Sequence, residues 1–482
     1  MIDNPTKPYS GLTIILDEPS RFDLDSGNLI SGYTGSHFND YLNPLDRRSV
    51  QIRTLDEDED LLPNTKVVLG LGKGCIGTLC SEDYSLNEIR GYPLNYQGLP
   101  LILSYAPQDA FDRKDFNIKD NIEDNDQIEG ESSLKGHGKT RRRNWRWWMM
   151  QDVQRSIKCL REVPKINEYI KHVALDINNA IGFLKFLKNK ELYIDIETDK
   201  NKNLTCIGFG GNIIEKEVFV IPWKQYNNTF YYTEQQYRKF IQALVIAMNK
   251  NTVVVHNGMF DLFVLAYYYK IPFPKTKIID TMIFWHRIYP ELEKSLGHLL
   301  SYLTWLPYHK SEGIFNPMSA AQDRQLWNYN ANDIIAMMEL LPKLKEEISN
   351  NKGSEDSASF ACSMIRPYLT MMFKGIKVDV EKILCRFKEL DFKCKQIDRC
   401  LRIVTNKNLN PRSPKQVKQY LYDECGHPCM DYEAPTNEKT LLKLLTLNKQ
   451  TIPSVRLILA SRGIGKTASS LKFNLFCNKF DA

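Results

Sequence analysis

The stretch Leu192-Tyr193-Ile194-Asp195-Ile196-Glu197-Thr198 decides the fold. It reads as a short apolar strand that carries two acids where a buried strand should carry none. Side chains on a strand alternate faces, so residues two apart share one. Asp195 and Glu197 therefore project together to one side of the strand's end. Unpaired carboxylates are costly to bury. A bound divalent cation offsets that cost, and hard cations such as Mg²⁺ prefer carboxylate oxygens.

Two more acids follow in matching surroundings. Thr252-Val253-Val254-Val255-His256-Asn257 reads as a second buried strand, followed by Gly258-Met259-Phe260-Asp261 and an apolar helix. Asp261 falls in that helix's first turn. Leu326 to Ile335 reads as helix, and Tyr329 and Asp333, four apart, share a face of it. His256 reads as a packed strand residue and not as a ligand. The sum is four carboxylates and one tyrosine on two strands and two helices.

This constellation resembles the DEDD superfamily of 3′–5′ exonucleases, which have an RNase H-like fold. Asp195 and Glu197 match its D-x-E motif, Asn257 and Asp261 its N-x-x-x-D, and Tyr329 and Asp333 its Y-x-x-x-D. Asn328 stands where the histidine variant would place its base. The resemblance is thus to the tyrosine branch, which includes family A and B DNA polymerases and ribonuclease D. It implies a catalytic set of Asp195, Glu197, Asp261, Tyr329 and Asp333, with the four carboxylates as metal ligands and Tyr329 orienting or helping to deprotonate the attacking water. It also implies two Mg²⁺ (or Mn²⁺) ions, which in such sites lie roughly 3.5–4 Å apart. Asn257 and Lys310 are the expected substrate contacts, Lys310 reaching phosphates of the scissile strand.

A chain of 482 residues has room for two to four domains. Its 43% hydrophobic content is that of a globular protein, and no apolar run is long enough for a transmembrane helix. No membrane partner and no secretory signal are expected. Eleven cysteines lack a zinc or cluster spacing, Cys75/Cys80 and Cys425/Cys429 included, and read as free thiols in a reducing compartment. The formal net charge of +6 suits a nucleic-acid binder without requiring one.

The expected class is α/β: an RNase H-like exonuclease domain with a mixed sheet over 166–350, an α/β domain over 1–165 before it, and a mainly helical region over 351–482 after it. In the first part, strands are expected at 12–16, 66–70 and 99–107, and a tight strand-to-helix turn at Gly70–Gly77. This order is similar to that of the uracil-DNA glycosylase-like domain of some phage family A polymerases, with Asp17-Glu18-Pro19-Ser20, Arg90-Gly91 and Ser104-Tyr105-Ala106-Pro107 in the motif positions. Ala106 replaces the histidine of the last motif, which implies a degenerate domain serving architecture or DNA contact. Residues 112–144 read as a surface loop. The tract Lys139 to Trp148 interleaves bases with aromatics. It suits phosphates and stacked bases as well as the start of a buried helix.

In the last part, Lys374-Gly375-Ile376-Lys377-Val378-Asp379 and Asn410-Pro411-Arg412-Ser413-Pro414-Lys415-Gln416 resemble turns that family A polymerases place after the exonuclease. Arg456 to Lys472 resembles the base of a thumb helix. Ala460 to Thr467 satisfies a relaxed Walker A pattern but lacks the α/β domain that a phosphate loop needs. Tyr289 to Leu300 resembles the helix before the third motif in phage polymerases.

The expected function is that of a proofreading 3′–5′ exonuclease acting on single-stranded 3′ ends and primer-template DNA. A second polypeptide is expected to supply palm and fingers, in a split, phage-encoded polymerase working in the bacterial host cytoplasm. The alternatives are a ribonuclease D-like RNA exonuclease and a catalytically silent DNA-binding accessory subunit.

Overall fold

The computed structural model describes residues 1–477 except 56–60, 81–83, 112–137, 163–165, 174–175, 213–215, 315, 352, 429–435 and 448–451. Of the loop expected over 112–144, residues 112–137 lie outside the described residues and 138–144 are helix and not loop; of the side chains 138–144, Lys139 and Arg141 to Arg143 included, nothing is described. These residues fall in two compact units, one within Met1–Lys374 and the other within Gly375–Ala482. Among them no helix is long and apolar enough to cross a membrane.

The first unit is built on two six-stranded sheets. Strands β1 (Ile2–Asp3), β2 (Leu12–Leu16), β3 (Gln51–Thr54), β4 (Val67–Leu71), β5 (Leu94–Tyr96) and β6 (Leu99–Ser104) form one, in the order β1-β3-β2-β4-β6-β5. Its inner four strands run parallel, and β1 and β5 pair antiparallel at the edges. Parallel strands covered on both faces read as unbroken apolar runs. β2 and β4 accordingly are buried along their whole length. The three strands expected here are present, and Gly70–Gly77 is the tight turn from β4 into the Gly74–Leu79 helix.

Strands β7 (Ile170–Val173), β8 (Glu191–Thr198), β9 (Leu204–Asn212), β10 (Lys216–Pro222), β11 (Thr252–Val255) and β12 (Ile278–Asp280) form the second sheet, in the order β12-β11-β8-β9-β10-β7. The meander β8–β9–β10 is antiparallel, while β11 joins β8 and β12 joins β11 in parallel. This is the mixed sheet expected. Thr233 caps the crossover helix Glu234–Met248 with a reciprocal Gln236 contact, as the T-x-x-Q spacing predicts. The Ala320–Asn350 helix packs on β8, β9 and β10.

The Gly138–Arg161 helix joins the two sheets. Trp148 is buried in it, with the Arg90 guanidinium 4.0 Å above its ring. The tryptophans of the basic–aromatic tract thus pack inward. Arg90 forms a two-pronged ion pair with Asp152 of the same helix, at 2.6 and 3.0 Å, and Ser104 Oγ donates to that carboxylate at 2.6 Å. Arg90 also reaches Ser301 Oγ at 3.3 Å. Residues from β4 and β6 share one apolar core with those of β8, β9 and β11.

One more expectation on local structure needs correction. Tyr289 to Leu300 is not one helix: the helix runs Leu296–Leu303, because Ser295 accepts from His298 N as its cap and Pro290 occupies the approach. A further helix begins at Ser354, after Gly353 in the left-handed region (φ 82°).

In the second unit, helices Val380–Thr405 and Ile452–Cys477 pack together over a core of Leu401, Val417, Leu421, Leu441, Leu444, Val455 and Ile458. Gly375 to Asp379 is non-helical, and Asp379 caps the next helix. Ala460 to Thr467 lies inside the last helix, so its glycines form no phosphate-cradling loop. The cysteines described are free thiols.

Candidate active site

β8 delivers Asp195 and Glu197 to one face of the second sheet. In register, Asp195 lies opposite Gly208 of β9. A Cβ on Gly208 would stand 2.3 Å from Asn330 Oδ1, so the glycine lets the Ala320–Asn350 helix approach the sheet at that point. There Asn330 Nδ2 donates to Asp195 Oδ2 at 2.6 Å. One turn of helix further, Asp333 completes the group: one oxygen each from Asp195, Glu197 and Asp333 lie within 4.8 Å of one another.

Asp261 is placed differently. It sits in the first turn of the Met259–Tyr269 helix, and its Oδ1 accepts from Ile196 N at 3.1 Å. It is therefore tied to β8's backbone between the two strand acids and stands outside the three-residue group. The turn before that helix explains its position. Asn257 has φ 57°, a left-handed conformation that asparagine tolerates better than most side chains. A Cβ on Gly258 would come within 2.2 Å of Val255 Cγ2, so the chain turns there only with glycine. Asn257 N and Gly258 N donate to the Asp280 carboxylate, which also caps the next helix through Met282 N and Ile283 N. Asn257 itself is exposed.

Lys310 enters the site directly. Its ammonium donates to Asp333 Oδ1 and, at 3.1 Å, to the Tyr329 hydroxyl. His309 beside it is buried, with Nε2 2.8 Å from the same Asp333 oxygen. His256, just past the end of β11, pairs its Nδ1 with Thr281 Oγ1 at 2.8 Å.

The electrostatics follow from crowding acids in a buried place. Desolvation, then the charges of Asp261, Asp333 and Glu197, hold Asp195 well above the usual carboxylate range. Desolvation and Asp333 push Glu197 up to about 8, and desolvation pushes Asp261 up to about 7. Asp333 is desolvated too, but Lys310 and His309 more than offset this and hold it below the ordinary value. Burial, then Asp333, Glu197 and Asp195, keep the Tyr329 phenol protonated. Burial and mutual repulsion raise these acids, and a cation among them would act in the opposite sense. The donors are all hard oxygens, so the residues present fit a hard divalent cation such as Mg²⁺.

With this geometry, comparison with known proteins becomes informative. Residues 176–349 match the 3′–5′ exonuclease family of the DNA polymerase A type. This chain carries a DNA polymerase I-type 3′–5′ exonuclease domain. Exonuclease domains of this type use divalent metal ions. The chain is 26% identical over 313 residues to DNA polymerase I of Aquifex aeolicus, covering 60% of this chain and 50% of that protein. It is 25% identical over 292 residues to DNA polymerase I of Helicobacter pylori, covering 59% and 30%. The chain thus spans half or less of these relatives' length. Among solved structures it is similar to the POL domain of Pol1 from M. smegmatis in complex with DNA primer-template and dNTP (TM-score 0.43, 16% identity, 62% of this chain and 49% of that one). It is also similar to Brucella melitensis NrnC (TM-score 0.32, 18% identity, 43% and 94%).

Of the residues singled out in the sequence, Asp195, Glu197, Asp333, Tyr329 and Lys310 come together, Asp261 adjoins them and Asn257 is exposed. Sequence reasoning missed Asn330, His309 and Asp280. The pairing of Gly208 with a long helix could have pointed to Asn330. Asp280 carried the signal of a helix cap after an apolar run. His309 carried none beyond its place next to Lys310.

Proposed function

We propose that this chain is a metal-dependent 3′–5′ exodeoxyribonuclease that proofreads for a family A DNA polymerase. The observation that carries the reading is the carboxylate group Asp195, Glu197 and Asp333, with Asp261 bound to the same strand and Lys310 and Tyr329 at its edge. Asp195, Glu197, Asp261 and Asp333 are assigned as the ligands of two Mg²⁺ or Mn²⁺ ions. When bound, such ions lower the pKa of the attacking water and stabilise the charge on the phosphodiester oxygens.

The remaining work falls to side chains. A protonated, buried Tyr329 orients the attacking water through its hydroxyl and does not serve as a phenolate base at neutral pH. Lys310, bonded to that hydroxyl, is partly exposed and holds a phosphate oxygen of the scissile strand. Asn257 contacts the terminal nucleotide. Asn330 fixes Asp195 by its 2.6 Å hydrogen bond. Hydrolysis forms a bond from water oxygen to phosphorus and breaks the bond to the 3′ oxygen, which leaves with a proton.

By the resemblances set out above, residues 1–165 form a degenerate uracil-DNA glycosylase-like domain, 166–350 the exonuclease and 351–482 the thumb base. The partner this reading calls for is a second, phage-encoded polypeptide carrying palm and fingers, active in the host cytoplasm. The test is digestion of a 3′-mismatched DNA primer by this chain with Mg²⁺, with EDTA, and with an RNA strand in place of DNA. Mg²⁺-dependent shortening of DNA is expected, and Asp195→Ala should slow it by at least about 10³-fold with the fold intact. Undiminished digestion by that variant overturns the site assignment, and preference for RNA overturns the substrate.

A further inference from the structure

We propose that Tyr92, in the turn that leads into β5 of the first sheet, is a positioning residue for Lys310, so that the N-terminal α/β part of the first unit sets the geometry of the nuclease site. The inference rests on the function proposed above. Its starting point is the irregular segment Thr304–His309, which leads into Lys310 without helix or strand bonding of its own. Such a segment holds a side chain in place only if something else holds the segment.

The holding groups come from the turn before β5 and from the bridging helix. Arg155 donates to Tyr302 O, Thr304 O and Gly91 O, at 2.7, 2.7 and 2.9 Å, and its guanidinium lies 3.9 Å from the Trp305 ring centre. Gly91 N in turn donates to Leu103 O of β6 at 2.9 Å. Tyr92, 1% exposed, then touches both sides of the segment. Its hydroxyl donates to Gly297 O at 2.6 Å, in the helix before the segment. Its ring meets Tyr308 edge-on at 5.3 Å, in the segment itself, with Tyr84 on Tyr308 at 5.5 Å.

The stem of Lys310 lies on the same spot. A Cβ on Gly297 would stand 3.7 Å from both Lys310 Cγ and the Tyr92 hydroxyl. Tyr308, His309 and Lys310 are consecutive, and the last two grip Asp333. A rigid path therefore runs from β6 through Gly91, Tyr92 and Tyr308 to the ammonium beside Tyr329. A shift of an ångström at Tyr308 is enough to break a 3.1 Å contact between Lys310 and Tyr329.

The experiment uses the full chain carrying Tyr92→Phe, which removes the bond to Gly297, Tyr92→Leu, which also removes the ring contact, and each combined with Lys310→Ala. Rates are measured on a single-stranded DNA 3′ end with Mg²⁺, beside DNA affinity and melting temperature. Tyr92→Leu is expected to lower kcat about 10-fold, and Tyr92→Phe less, with DNA affinity unchanged within about two-fold. Combined with Lys310→Ala, neither should add a further loss. An equal loss with and without Lys310 overturns the proposal, since it would report general damage; so does an unchanged rate in both variants. A wild-type chain that cuts no DNA defeats the functional reading instead. Positioning is then read from acylation of Lys310 by an amine reagent, followed by mass spectrometry. Tyr92→Leu should speed it several-fold, and an unchanged acylation rate overturns the proposal.

Discussion

At the residue scale, the site is a balance between acids that repel and two basic groups at one edge. Lys310 and His309 both favour Asp333, and what Lys310 gives Asp195 and Glu197, and the Ile196 N–H gives Asp261, does not offset their desolvation and mutual repulsion. The consequence is a pH dependence of stability with a definite sign. Glu197 and Asp261 have folded-state values of about 8 and about 7, against ordinary values of 4.5 and 3.8. The folded state therefore binds more protons than the unfolded state across that interval, so stability falls as pH rises through it. Asp333, held low, acts in the opposite sense and only in acid. In EDTA the melting temperature should fall between pH 5 and pH 8, and added Mg²⁺ should raise it more at pH 8 than at pH 5. A Mg²⁺ effect equal at both would count against cation binding by these acids. Tyr329 yields a second expectation. On the function proposed above, its protonated hydroxyl would position water and not abstract a proton. Tyr329→Phe should lower kcat by about 10- to 100-fold and leave the Kd for DNA unchanged. An unchanged rate would remove it from the mechanism.

At the scale of elements, the site exists because a helix can lie unusually close to a strand. Gly208 and Gly210 of β9 face the Ala320–Asn350 helix, and Cβ atoms there would meet Asn330, Ile334 and Met338 at 2.3 to 3.2 Å. Gly208→Ala should cost about 1–3 kcal/mol, read from urea unfolding, because it overpacks this contact. It should also slow cleavage, since the displaced helix carries Tyr329 and Asp333. Full stability and full activity in that variant would mean that the helix can move without consequence. The motifs on either side of this contact were plain in the sequence, where strand and helix periods each state which residues share a face. The contact itself was not. Whether two elements touch depends on residues far apart in the chain.

At the scale of the whole molecule, the two sheets of the first unit are joined by charges in a dry place. Arg90 and Asp152 are about as buried as residues can be, and each satisfies the other together with Ser104, Ser301 and the Trp148 face. Removing one member of such a pair strands the other. Asp152→Ala should cost about 3–5 kcal/mol in urea unfolding. A cost under about 1 kcal/mol would mean water reaches Arg90 once the acid is gone. Arg90 was singled out in the sequence as part of a dipeptide motif. Its partner, sixty-two residues away on the bridging helix, had no local signature.

What the sequence determined by itself is the chemistry. Acids placed two apart on an apolar strand, and tyrosine and aspartate four apart on a helix, state their own geometry, because strand and helix periods are properties of the backbone. The strands at Leu12–Leu16, Val67–Leu71 and Leu99–Ser104 were readable for the same local reasons, to within a few residues at their ends. Only the tertiary structure decided that Asp261 binds β8's backbone and stands apart from the other three acids. It also brought His309 and Asn330 into the site, buried Trp148 of the basic tract, and ran the support of Lys310 back to the bridging helix and the turn before β5. Each of these depends on which surfaces meet across long stretches of chain, and that is set by the packing of whole elements and by no periodicity within one.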